Sequence, residues 1–198
     1  MFLALLNKAT LIEKVDVQAA VRACASQNKM HVAPFWDMTP AAIVYYDDER
    51  QVPPGADILT LLDESDHSGA FGYHRVTPEG LPYGRAFVKP ILNHDGTALK
   101  GSVSLSSVLS HEVCEWFTNR FLNLWVDGPE GQSPVEICDP VGNDSYEIDG
   151  VSVSNFVTKR YFDRRAPAGT QLDYMNKLTR PFMISPGGYL QVRKNGVV

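Results

Sequence analysis

Ser110-His111-Glu112-Val113-Cys114-Glu115 sets an imidazole and a carboxylate four residues apart, with a second carboxylate directly after the imidazole. The flanking residues predict a helix. At about 100° per residue, Leu105, Val108, Leu109, Val113, Trp116 and Phe117 fall on one apolar stripe. Ser102, Ser104 or Ser106 can cap its start, and it is expected to reach Asn119 or Leu122. Glu112 falls near the middle of the stripe, Glu115 near Val108, and His111 beside Glu115. A carboxylate on the core side of a helix costs free energy unless it is paired, protonated or bound to a metal. Two glutamates on a solvated face therefore fit poorly, and a metal or catalytic site is expected. Cys114, on the far side of His111 from Glu115, reads as a small packing residue, with a ligand role as the alternative.

Outward from this helix the chain reads as α+β. Residues 2–8 predict a strand. Val17, Ala20, Val21 and Cys24 recur at helical spacing, so 13–28 predicts an amphipathic helix. Residues 34–40 read as a connection. Strand-like runs follow at 42–46, 57–62, 70–76 and 84–90. After the site helix, 125–134 is rich in Gly and Pro and reads as a loop. A polar loop leads to a strand at 151–153, and a short tail strand is expected at 189–193 behind the turn Ser185-Pro186-Gly187-Gly188. The expected whole is a single domain over 1–198. Residues 1–122 form a mixed twisted sheet, a backing helix and the site helix, and 123–198 form a loop-rich C-terminal part.

H-E-x-x-E differs at one position from H-E-x-x-H, in which two histidines bind zinc and the glutamate activates water. With the order strand, helix, several strands, then site helix, the chain resembles the N-terminal half of a zincin, the fold of many zinc peptidases. The stretch EICDPVGNDSYEIDGVSVSNFV at 136–157, together with SHEVCE, also resembles small zincin-like proteins encoded by tailed bacteriophages, over roughly residues 30–165. The resemblance implies a minimal zincin-like fold. It implies an edge strand before the site helix that binds an extended peptide, here residues 84–89, and a virion or phage-infection context.

A catalytic zinc takes three protein ligands and keeps one position open. In the branch of zincins with a glutamate ligand, that residue follows the motif after some twenty residues. Glu136 lies at that distance from Glu115. Asp139, three residues on, is either the ligand itself or an acceptor for the His111 ring. The expected ligands are therefore His111 and Glu115 with Glu136 or Asp139. One imidazole and two carboxylates form a harder set than two imidazoles, which takes zinc but tolerates manganese or iron(II) better. It also cancels the charge of the metal and acidifies bound water less. Glu112 is the expected general base toward metal-bound water. Tyr146 and His74 are candidates for stabilising an oxyanion, against plain packing roles; packing is slightly preferred for Tyr146 and more strongly for His74, as for His31, His67 and His94.

The first functional reading is thus a metal-dependent hydrolase, a peptidase or amidase. The alternative is a non-catalytic structural or interaction protein of a phage virion, with a vestigial site and no metal. A carboxylate metal protein of the ferritin type is disfavoured by the strand content. The net charge of −5 argues against general nucleic-acid binding, and the cluster Lys159, Arg160, Arg164 and Arg165 reads as a solvated face. Three cysteines at wide spacing predict free thiols in a reducing compartment. The apolar opening 1–6 is too short for a signal peptide, and no run reaches membrane-spanning length. The expected partners are a peptide or protein substrate, or other virion proteins, with no nucleic acid and no membrane. The expected setting is the host cytoplasm or a virion.

Overall fold

The computed structural model describes residues 1–194 and has an α+β architecture. The chain enters through β1 (Phe2–Asn7), whose Leu3, Ala4, Leu5 and Leu6 are all buried. Burial on both faces marks a central strand. Helix α1 (Lys14–Gln27) follows and is prolonged by a π turn, Asn28–Val32, into α2 (Ala33–Trp36). Residues 34–36 are therefore helical and not part of a connection. Pro34 has no N–H to bond back into the preceding turn, and the π turn just before it accompanies that break in the ladder. Next come β2 (Ala42–Tyr46), β3 (Asp57–Leu62), β4 (Gly72–Val76) and β5 (Pro82–Phe87), then a short helix, α3 (Val88–Asn93).

These strands form one mixed sheet in the order β2-β1-β3-β5-β4. All neighbours are parallel except β4, which runs antiparallel to β5. The outer strand next to the site helix is thus β4. Residues 84–89, expected to hold that place, lie mostly in β5, between β3 and β4. The hairpin turns the earlier strand outward. The side chains agree: Ala86 and Phe87 are fully buried, as an internal strand requires, whereas β4 carries polar Tyr73, His74 and Arg75.

Helix α4 (Leu105–Asn119) is capped by Ser104, whose hydroxyl accepts from the Ser107 N–H at 3.1 Å. Every residue of α4 except His111 is buried. One face packs on β4 and β5 and another on α1. Its small polar residues are satisfied inside the protein. Ser110 Oγ donates to Ser107 O and accepts from Ser154 N–H at 2.7 Å. Asp57 of β3 accepts from the Trp116 indole at 2.8 Å and pairs with Arg120 through both carboxylate oxygens. This half-buried ion pair fixes the C-terminal end of α4 to the sheet.

The C-terminal part holds two hairpins. In the first, β6 (Trp125–Asp127) and β7 (Gln132–Pro134) pair across residues read from sequence as loop. In the second, β8 (Ser145–Ile148) pairs with β9 (Val151–Ser154), which packs on α4. Between the hairpins, Asp139–Val141 form a 3-10 turn. The expected tail strand at 189–193 does not form; Arg193 alone bridges to Gln132. The last four residues of the expected domain lie outside the described residues. Among the described residues no helix is long and apolar enough to cross a membrane.

Candidate metal centre

Two segments converge on α4. Strand β4 brings His74, the segment after β7 brings Glu136, Cys138 and Asp139, and α4 itself contributes His111, Glu112 and Glu115. All are buried except His111, whose side chain keeps 19% of its surface exposed. His111 Nε2 lies 3.3 Å from Glu115 Oε1 and 3.2 Å from Asp139 Oδ1. His74 Nδ1 lies 3.8 Å from both Glu112 Oε2 and Glu115 Oε2, and its Nε2 lies 3.6 Å from Glu136 Oε2. The Cys138 thiol groups with His111 and Glu115, with all three ligand atoms within 4.8 Å of one another.

Two observations test whether these donors fit a cation. First, they are poorly hydrogen-bonded: His74 Nε2 and Asp139 Oδ1 are buried and have no hydrogen-bond partner. Second, the separations of 3.2–3.8 Å exceed the usual N–H···O distance of about 2.9–3.0 Å. Two ligands held tetrahedrally at about 2.0–2.2 Å from an ion lie about 3.3–3.6 Å apart. The spacing of each pair suits donors around an ion better than donors bonded to each other, and the sets close enough together to share one ion are His111, Glu115 and Cys138, and His74, Glu112 and Glu115, with Asp139 adjoining His111 alone.

The charges lead the same way. Glu112, Glu115, Glu136 and Asp139 cannot all be ionised side by side at low cost without compensating positive charge. Burial would raise the Glu115 pKa, but His111 and His74 outweigh it and hold the carboxyl at about 2. Burial, then the Glu115 charge, pushes Asp139 up to about 6. Burial, then Glu115 and Asp139, holds Glu136 well above the usual carboxylate range. Burial opposes charge on His111, but Glu115 and Asp139 overcome it and raise its pKa well above the ordinary value. The cluster thus keeps protons where a cation would supply the same charge. The framework is rigid: Cys138 N–H donates to Glu115 Oε1 at 3.2 Å, and the Asn119 amide donates to Glu136 Oε1 at 3.0 Å.

The cluster floors a groove. Clefts of about 330 and 310 Å³ meet there, and Gly72, His111, Glu112 and Tyr189 line both. One wall is β4. The Phe87 N–H bonds Phe71 O at 2.8 Å, which sets the phase of the ladder. Gly72, His74 and Val76 then turn their amides and carbonyls away from β5, and among the described residues no strand pairs there. Position 72 has room for no side chain. A Cβ there would lie 2.8 Å from Glu112 Oε1 and 3.0 Å from Val108 Cγ1.

Among the sequence candidates, His111, Glu112, Glu115, Glu136 and Asp139 come together. Asp139 adjoins His111, whereas Glu136 lies toward His74. His74, read from sequence mainly as a packing residue, belongs to the cluster. Tyr146 does not: its hydroxyl bonds Gln27 Nε2 at 3.2 Å and His31 Nδ1 at 2.9 Å, its ring stacks on Tyr174, and it lines neither cleft. Cys114 also faces away, donating to Gln27 Oε1 at 3.3 Å. Sequence reading missed Cys138, Gly72 and Tyr189. The paired glycines before Tyr189 were the available signal, because adjacent glycines mark a close backbone approach.

No protein-family model matches the chain, and no solved structure matches it. The chain is 34% identical over 71 residues to Protein EXORDIUM-like 3 of Arabidopsis thaliana. That stretch is 36% of this chain and spans 19% of the length of the plant protein.

Proposed function

We propose that the chain is a metal-dependent hydrolase of the zincin type, a peptidase or amidase. In this reading His111, Glu115 and Asp139 hold a divalent cation and Glu112 is the general base. The observation that carries it is the convergence of these donors on the floor of a groove walled by an unpaired strand edge. When bound, the cation would polarise a carbonyl and acidify water. One imidazole and two carboxylates suit zinc, and manganese or iron(II) as well.

The chain's own residues supply the rest. Glu112 sits beside Gly72 where the two clefts meet. From there its carboxylate can take a proton from a water in the groove and pass it to the leaving amine. His74 lies between Glu115 and Glu136, with its Nδ1 3.8 Å from the second oxygen of Glu115 and its Nε2 3.6 Å from Glu136 Oε2. The outward amides and carbonyls of Gly72 and His74 can pair with an extended peptide, which would run past His111 and Glu112. That pairing selects for main chain, so the substrate class is a peptide.

The test is cleavage of a mixed peptide library by the chain loaded with zinc or manganese. Glu112→Gln is expected to keep the bound metal and to cleave about 10²–10⁴-fold more slowly, because it removes proton transfer and no ligand. A metal-loaded wild type that cleaves nothing would overturn the hydrolase reading. It would leave the non-catalytic scaffold, such as a virion component, as the account of the fold.

A further inference from the structure

We propose that His74, Glu112 and Glu115 form a second divalent-cation site beside that of His111, with the Glu115 carboxylate bridging the two ions. This second site rests on the metal reading above and draws a ligand from β4, outside the helix motif. Its basis is the way Glu115 divides its oxygens. Oε1 lies 3.3 Å from His111 Nε2, whereas Oε2 lies 3.8 Å from His74 Nδ1. His74 Nδ1 is also 3.8 Å from Glu112 Oε2. One ligand atom from each of His74, Glu112 and Glu115 falls within 4.8 Å of the other two, and all three residues are buried.

His74 supplies the independent sign of a ligand. It is 8% exposed, and its Nε2 is buried with no hydrogen-bond partner. Nδ1 stands beyond hydrogen-bond reach of both glutamates. An imidazole buried this way costs free energy unless something engages its nitrogens. A cation on Nδ1 would do so, leaving the proton on Nε2, which faces Glu136 Oε2 at 3.6 Å. A carboxylate behind the second nitrogen is the usual partner of a ligating histidine.

Charge sets the order of filling. Glu112, Glu115, Glu136 and Asp139 need positive charge close by to stay ionised, and one divalent ion balances only two of them. A second ion balances the others. It enters against the charge of the first and shares a ligand with it. Its donors, 3.8 Å apart, also stand wider than the about 3.3–3.6 Å of a tetrahedral zinc shell. The His111 site is thus the tight one, and the His74 site fills after it. One imidazole and two carboxylates suit manganese(II) there as well as zinc, and two ions clamped in this way sit about 3.5–4 Å apart. With the second ion in place Glu112 Oε2 is engaged, and the base role falls to Oε1, on the Gly72 side.

The experiment is a calorimetric manganese titration of the chelator-treated full chain, carried past the first equivalent, for wild type and His74→Phe. EPR spectra of the manganese-loaded wild type accompany it. Wild type is expected to take a second, weaker ion after the first. His74→Phe is expected to keep the first ion and lose the second. The EPR spectrum should pass from that of a single ion at one equivalent to that of a magnetically coupled pair at two. That signal needs no variant, so the test holds even if His74→Phe fails to fold. A wild type that stops at one ion would overturn the inference and leave the His111 site standing. A second ion that persists in His74→Phe, or an uncoupled spectrum at two equivalents, would place that ion elsewhere and also overturn it. A wild type that binds no divalent ion would overturn both.

Discussion

Glu115→Gln removes one negative charge and almost no volume, so it isolates what that charge contributes to the cation-free protein. In the wild type, burial acts to raise the Glu115 pKa, but His111 and His74 outweigh it and hold the value at about 2, against an ordinary 4.5. At about 1.4 kcal/mol per tenfold, the difference corresponds to about 3 kcal/mol of stabilisation at neutral pH. Part is returned on substitution, because the Glu115 charge also helps push Asp139 up to about 6 and raises Glu136. The expected net loss is about 1–3 kcal/mol, or about 2–12 °C in Tm for a chain of this size. The folded-state pKa is depressed, so this stabilisation is fully present above 4.5 and is lost as pH falls through about 2. Urea unfolding of both chains with chelator should show the deficit at pH 7, a smaller one at pH 3, and only a small remainder at pH 2. A Glu115→Gln chain as stable as wild type at pH 7, or a deficit undiminished at pH 2, would refute the reasoning.

Two further substitutions probe the frame around the centre. Gly72→Ala places a Cβ 2.8 Å from Glu112 Oε1 and 3.0 Å from Val108 Cγ1; it should lower stability by about 1–3 kcal/mol and slow any hydrolysis by about 100-fold through displacement of Glu112, with metal content unchanged by elemental analysis. Asp57→Ala leaves the half-buried Arg120 guanidinium and the buried Trp116 indole without their acceptor; urea unfolding should show a loss of about 1–3 kcal/mol.

Much of this arrangement was legible in the sequence because its cause is local. His111, Glu112 and Glu115 lie within one turn and a half of a helix, so helical periodicity alone groups them, and Ser104 supplies a cap that its residue type announces. The strands at 42–46 and 57–62 stand out for the same reason, as β-branched and apolar runs between turn residues. What failed to show depends on tertiary placement. Residues 84–89 precede the site helix in sequence, but the β4–β5 hairpin sends the earlier strand to the edge. Tyr146 follows the ligand segment closely, yet β8 turns its hydroxyl toward His31 and Gln27. By spacing Glu136 had the stronger claim, and only the 3-10 turn at Asp139–Val141 brings Asp139 to His111. Tyr189 lies about fifty residues beyond Asp139, a separation no local pattern bridges. The hairpin β6–β7 forms from Gly- and Pro-rich sequence whose propensity favours loop, which places its origin in tertiary contacts.

The central claim is that His111, Glu115 and Asp139 form one cation site. The most direct measurement is titration of the chelator-treated chain with zinc and with manganese by calorimetry, for wild type, His111→Ala and Asp139→Ala. The account predicts that wild type binds a divalent ion at one site per chain, with affinity lost in His111→Ala and reduced by at least about 10-fold in Asp139→Ala. A wild type that binds neither ion, or a His111→Ala chain that binds as tightly as wild type, would contradict it.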